Sequence, residues 1–253
     1  MLLRPDGDGA VVAIGQASHA WLSGQLARAW GNDRFAPPEP WEEVCLGAEQ
    51  HDVGMAEWDR TPERHPDTGL PREFFAMDRR THLALWAAAP GRMLTQSGYA
   101  ALLVSLHGTG LLDRFPPRTD GDPELTQLVT DHLEGQRRLQ RRLATALGAT
   151  KEELLRNQAL LAAWDDLSLA LCRRQAPHAV HGVPVADDER ATLTLSDLGD
   201  GRQTLDPWPF GVPELTVRAE GRRLAGTFGD EAELHAVLER APLVRLRMEL
   251  VAV

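Results

Sequence analysis

Residues 49–54, Glu-Gln-His-Asp-Val-Gly, place the pair His51-Asp52 at the predicted end of a helix, and that placement organises the reading of the rest of the chain. The helix starts beside Pro40, carries Glu42 and Glu43 at the positive end of its dipole, and stops at Gly54. Upstream, His19 falls on a helix expected from about Gln16 to Trp30. Its close-packed face is Ala17, Trp21, Gly24 and Ala27, and Gly31-Asn32 is its stop. Downstream, His82 and His107 fall on helices expected near 78–88 and 96–112, interrupted at Pro90-Gly91. Asp122-Pro123-Glu124 starts a long charged helix that ends at Gly148. Thr150 and Glu153 form a capping box for a last long helix reaching about Arg174, and Asp165 sits in it within LLAAWDDLSLALC.

A histidine taken singly is more often structural than ligating, and His65, His132, His178, His181 and His235 read as surface or structural groups. The order of the other four carries the weight. A His, a His-Asp pair, two further His and a late Asp on successive helices resemble the HD superfamily of helical metalloenzymes. In that superfamily the late Asp is typically followed two positions on by an apolar residue, as in Asp165-Asp166-Leu167. The resemblance implies an HD-like helical bundle holding two divalent transition metals (Fe, Mn, Zn or Co) between His19, His51, Asp52, His82, His107 and Asp165. The two intermediate histidines match the subset that binds two metals. The segments QASHAWLSGQLARAWG, EQHDVGMAEWDRTP, AALLVSLH, DDLSLALC and DPWPF also look like one bacterial family of unknown function with this core, a likeness that covers most of the chain.

The implied donor set is chemically coherent. Four imidazoles and two carboxylates suit borderline transition metals and do not suit magnesium alone. Asp52 is the natural bridging carboxylate, with Gln16 and Glu49 as partners for the second ring nitrogens of ligating histidines. Asp165 is preferred to Asp166 because it shares a helix face with Leu154, Leu161, Ser168, Leu169 and Cys172, where a carboxylate is costly unless paired or metal-bound. Asp52 and Asp166 are the candidate catalytic carboxylates. Gln16, Trp58, Arg60 and Arg80 are the candidates to touch substrate, Trp58 and Arg60 lying in a long irregular stretch, WDRTPERHPDTGLPREFF, expected to be an ordered loop. The run RRLQRR at 137–142 reads as the solvated face of a helix, and Gly108 and Gly110 lack the spacing and Lys of a phosphate loop.

After Pro177 the pattern changes to strands, expected over 192–195, 215–219, 223–228 and 243–251, with Glu220-Gly221 as a turn and a short helix over 231–240. With Leu2, Leu3, Val11, Val12 and Ile14 flanking Asp6-Gly7-Asp8-Gly9 as a hairpin, the expected fold is mainly α. It comprises an HD-like helical domain over 1–176, opened by a short N-terminal hairpin over 1–14, and a small C-terminal β-rich (α+β) appendage over 177–253. The last strand offers an edge that could pair with a second copy in a homodimer.

Hydrophobic residues make up 43% and charged residues 25%, the balance of a folded protein, and the net charge of −10 argues against a nucleic-acid polymer as partner. A small anionic substrate remains compatible, because arginines act locally. Cys45 and Cys172 form no disulfide framework or zinc spacing, no apolar run approaches a membrane span, and MLLRPDGDG has no secretory signature. The expected compartment is the cytoplasm. Function divides three ways. The first is a dinuclear metallohydrolase acting on a phosphoester such as a nucleotide. The second is a diiron oxygenase that cleaves or hydroxylates a small polar substrate. The third is a non-catalytic, metal-stabilised binding domain. Many HD phosphohydrolases read His-Asp-x-Gly-Lys, and Met55 stands here in the place of that Lys, which weakens transfer of phosphohydrolase activity.

Overall fold

The structure, a computed structural model, describes residues 1–186 and 189–253. Local signals account for the helices: α1 (Gln16–Ala29), α2 (Trp41–Gln50), α3 (Ala56–Arg60), α4 (Arg79–Met93), α5 (Gly98–Arg114), α6 (Pro123–Leu147), α7 (Lys151–Arg173) and α8 (Glu231–Arg240). Side chains of Asp78, Ser97, Asp122, Thr150 and Asp230 accept backbone N–H groups at the starts of α4 to α8, meeting donors that have no partner within the helix. Gly148 closes α6 with φ at 65°, in the left-handed region that glycine adopts without strain. Pro90 does not end α4, which runs on to Met93, because the missing hydrogen bond falls in the last turn.

The strands overturn the expected fold class. About half of the chain is helical, and the remainder centres on a curled seven-stranded mixed sheet, so the fold is α+β rather than a helical bundle with a small appendage. The strands are β1 (Leu2–Pro5), β2 (Val11–Ile14), β3 (His178–Pro184), β4 (Arg190–Asp197), β5 (Arg202–Asp206), β6 (Glu214–Leu224) and β7 (Leu243–Val251), in the order β1-β2-β6-β7-β5-β4-β3. Among the described residues, only β5 and β7 pair in parallel. The N-terminal hairpin belongs to this sheet, since Val11 to Ile14 pair with Leu224 to Gly221. The final strand is not an edge: β7 lies between β6 and β5.

Gly221 accounts for the first difference, and pairing of Arg202 and Gln203 with Glu249 and Leu250 for the second. Gly221 is not a turn residue; β6 runs straight through it, pairing Gly221 with Ile14 on one side and Val244 on the other. A Cβ there would stand 2.5 Å from Val12 Cγ1 and 2.8 Å from the Ala13 carbonyl. The glycine is needed because another backbone approaches closely.

Alternation along β6 and β7 turns Val217, Ala219, Leu246, Met248 and Leu250 into the main core, where they join Leu22 and Leu26 of α1 and Leu167 and Leu171 of α7. The second half of helix α7 is largely buried, with the sheet on one side and α1, α2 and α5 on the others, while Lys151, Glu152 and Leu155 in its first turns are exposed. A second, smaller core of Ala13, Leu224, Phe228, Leu234 and Leu238 lies under α8. No described helix is long and apolar enough to cross a membrane.

The Gly221→Ala variant is expected to lose about 1–3 kcal/mol, the usual cost of overpacking a fitted position, and urea denaturation measures it. An unchanged midpoint would show that β2 does not press on β6.

Candidate metal centre

Five of the six predicted ligands meet where α1, the end of α2, α5 and α7 converge. His19, His51, Asp52, His107 and Asp165 are all buried. Asp165 stands at the centre, with Oδ1 3.5 Å from His51 Nε2 and 3.8 Å from His19 Nδ1, and Oδ2 3.6 Å from His107 Nε2. Asp52 Oδ2 lies 2.9 Å from His19 Nε2 and 3.7 Å from His51 Nε2. Asp165 therefore reaches three imidazoles and Asp52 two.

The outward ring atoms are held in place. His51 Nδ1–H donates to the Ala48 carbonyl at 2.8 Å, leaving Nε2 directed at the two carboxylates. Ser168 Oγ donates to the Asp165 carbonyl at 2.8 Å and so receives His19 Nδ1–H at 2.9 Å. Gln16 donates its side-chain amide to Asp52 Oδ2 at 3.2 Å, and its own backbone N–H is taken by Asp59 of α3. Glu49 is not a partner of the cluster; it pairs with Arg28 at 2.6 Å.

His82 approaches separately, from α4. It is buried, lies against Trp86 with ring centroids 4.1 Å apart, and lines the same cavity as His19, Asp52, His107 and Asp165. Its Nε2, like His51 Nε2 and Gln16 Oε1, is buried without a hydrogen-bond partner. Other buried side-chain atoms, such as Trp30 Nε1 and Thr204 Oγ1, also lack a partner, so the significance of these three lies in their grouping with the carboxylates of Asp52 and Asp165.

A cation fits the gap. Two ligand atoms on one transition metal, at bonds of about 2.0–2.2 Å, stand roughly 3.0–3.6 Å apart. The separations of 3.5 and 3.6 Å around Asp165 fall in that range, and the 3.7 Å from Asp52 to His51 lies just outside it. Donor atoms of His19, His51 and Asp165 all lie within 4.8 Å of one another.

Charge balance within the cluster is uneven. Burial opposes a charge on His51, but Asp52 and Asp165 outweigh it and hold its pKa up at about 9. Burial would raise Asp52 and Asp165, yet the surrounding imidazoles hold both carboxylates below their usual range. Burial takes His82 and His107 down to about 4, with the His51 charge adding to the effect at His107.

The cavity above the cluster has a volume of about 410 Å³. Its walls are chiefly apolar, from Phe74, Phe75, Leu83, Trp86, Leu111 and Phe115, with Arg79 and Arg114 as its guanidinium groups. Asp166 lines the same cavity and accepts a hydrogen bond from His178 Nε2 at 2.9 Å. Three of the proposed substrate contacts lie elsewhere. Trp58 is buried against Met55 and Met77, Arg60 is exposed outside the cavity, and Arg80 binds Asp122 at 2.6 Å. Arg79, one of several arginines between His51 and His82, was passed over for Arg60 and Arg80, and Arg114 was missed, although helical spacing exposes both: Arg79 precedes His82 by three residues and Arg114 follows His107 by seven.

Residues 1–226 match the family described as "Protein of unknown function (DUF3891)". The chain is a member of the DUF3891 family. The match takes in every candidate ligand and β1 to β6, and stops before α8 and β7. No curated protein and no solved structure matches the chain.

Metal-free protein should be most stable near pH 6.5, the ordinary histidine value. A raised folded pKa gives His51 a contribution that is complete below 6.5 and is lost as the pH rises through about 9. Depressed values give His82 and His107 a contribution present above 6.5 and lost as the pH falls through about 4. Thermal melts of chelator-treated protein across this range check both arms, and His51→Gln should flatten the alkaline one. A melting temperature that holds level on both sides would contradict the charge assignment.

Proposed function

We propose that this chain is a metal-dependent hydrolase of the HD type, holding two divalent transition metals and acting on a phosphoester. The observation that carries the reading is the convergence of His19, Asp52, His107 and Asp165 at the floor of a ligand-sized cavity, with His51 buried beside them and His82 opening onto it. The two oxygens of Asp165 face different imidazoles, His51 and His107, whereas Asp52 meets His19 and His51 through Oδ2 alone, so Asp165 rather than Asp52 would be the carboxylate shared by two metals. When bound, such metals lower the pKa of a coordinated water and neutralise charge on an ester oxygen.

The chain's own residues then have distinct tasks. Ser168 and the Ala48 carbonyl fix the rings of His19 and His51, and Gln16 orients Asp52. The apolar walls exclude water, so that charges at the floor act in a low dielectric. Asp166, which accepts the His178 Nε2–H at the wall, lines the cavity as a carboxylate able to take a proton from a water or hydroxyl there. Arg79 and Arg114 supply positive charge to an anionic substrate.

One observation favours a second reading, a diiron oxygenase on the same ligands. Met55, in the place of the usual Lys, lines the cavity, and most of the wall is hydrocarbon. A greasy chamber with no ammonium suits C–H chemistry better than phosphate transfer.

Elemental analysis of anaerobically purified protein is expected to find about two metals per chain, with His51→Ala and Asp165→Asn each losing most of both. Metal uptake near neutral pH should release the His51 proton, seen by calorimetry in buffers of different ionisation heat. Manganese, zinc or cobalt with turnover on a phosphoester panel supports the hydrolase. Two irons with a mixed-valence EPR signal and oxygen uptake would replace it with the oxygenase. Full metal content in both variants would remove the site altogether.

A further inference from the structure

The cavity holds two guanidinium groups that the metal cluster does not use. Arg80 beside Arg79 on α4, and Arg72 and Arg173 near Phe74 and Phe75, each have a carboxylate partner. Arg79 and Arg114 have none among the described residues; Arg114 only lies over the Phe115 ring, 5.9 Å from its centroid.

Their meeting is a consequence of topology. Helices α4 and α5 are joined by residues 94–97 and run antiparallel, since Met93 and Ala89 pack with Ala100 and Val104 while Leu83 packs with Leu112. The first turn of α4 and the last turn of α5 are therefore at the same end of the hairpin. His82 and His107 face the cavity from lower on the same two helices. With a rise of about 1.5 Å per residue, Arg79 sits roughly 5 Å beyond His82 and Arg114 roughly 10 Å beyond His107. Both side chains line the cavity, and hydrocarbon walls fill the interval between them and the cluster.

We infer that Arg79 and Arg114 form a second anion subsite, and that the substrate is a small molecule with oxyanions at both ends of an apolar body. One end would react at the metal cluster, and the other would be held by the guanidiniums at the entrance. The apolar middle would be a single ring or a short hydrocarbon spacer, matching the length between the two charged regions. A nucleotide fits less well, because reading a base and sugar needs neutral hydrogen-bonding groups. Among the described lining residues Gln16 is the sole side-chain amide, and no Ser, Thr, Asn or Tyr is present. This inference rests on the metal-site reading above.

Calorimetric titration of the manganese-loaded protein separates the two. The probes are phenylphosphonate, 4-carboxyphenylphosphonate and 1,4-phenylenebisphosphonate, which cannot be hydrolysed. At least one of the two-ended probes is expected to bind about tenfold or more tighter than phenylphosphonate, the gain of one charge-assisted contact, and which one does so tells carboxylate from phosphate at the far end. Arg79→Ala and Arg114→Ala should each reduce that ratio, and the double variant should bring it close to one. A ratio near one in the unaltered protein, with manganese bound, would overturn the subsite and leave the metal site standing. A ratio that survives the double variant would also overturn it. Failure to retain manganese would remove the metal site and this inference together.

Discussion

A carboxylate in the buried half of a helix has to be answered by positive charge, and Asp165 is in that position. That half of α7 is enclosed by the sheet on one side and by α1, α2 and α5 on the others. Ionised, Asp165 would be intolerable without the imidazoles of His19, His51 and His107 around it. Each imidazole comes from a different helix, so the need to surround one carboxylate dictates how those helices approach α7. The sheet provides the backing. Helix α7 packs on β3 and β1, and its Leu167 and Leu171 belong to the same apolar core as Leu246, Met248 and Leu250, while another side of the helix carries Asp165 to the charged cluster.

Much of this was legible in the amino-acid order, because it depends on local rules. Helix caps at Asp122 and Thr150, the glycine stop at Gly148 and the helical face that separates Asp165 from Asp166 concern residues a few positions apart. The ligand set came from resemblance, with helical periodicity selecting Asp165 within it. What could not be read depended on distant partners. Gly221 looks like a turn until β2 is laid beside it. β3 is broken up by Gly182 and Pro184, and β5 is only 5 residues long, so neither announces itself as a strand. Nearness in sequence also misled at the site. Trp58 and Arg60 follow the His-Asp pair closely, yet α3 directs them away from the cavity. Arg80 and Arg79 are adjacent, but a step of one residue rotates about 100° around a helix. Arg79 thus lines the cavity, while Arg80 ties α4 to the start of α6.

The segment between α3 and α4 links the two layers. Arg64 and Pro71 form a bridge, Gly69 accepts the Phe228 N–H beyond β6, and Phe74 and Phe75 then return to the cavity wall. Gly69 has φ at 69° and would place a Cβ 3.0 Å from Thr227, so it has both the conformation and the closeness that call for glycine. The entrance to the cavity is in this way braced against the sheet. Arg173 adds to the bracing by pairing with Glu73 at 2.9 Å and lying over Phe75.

The single sheet built from both chain ends bears on how the molecule comes into being. Ser18 bonds to Glu220, 202 residues away, and β2 finds its neighbour only when β6 exists. During synthesis, α1 through α7 emerge before β6, so the N-terminal hairpin is made long before the strand on which it pairs. The hairpin meanwhile waits with an unpaired edge, the kind of surface that other chains can capture. A sheet closed by such distant pairing is expected to form late and slowly, after the helices that carry the cluster have been made.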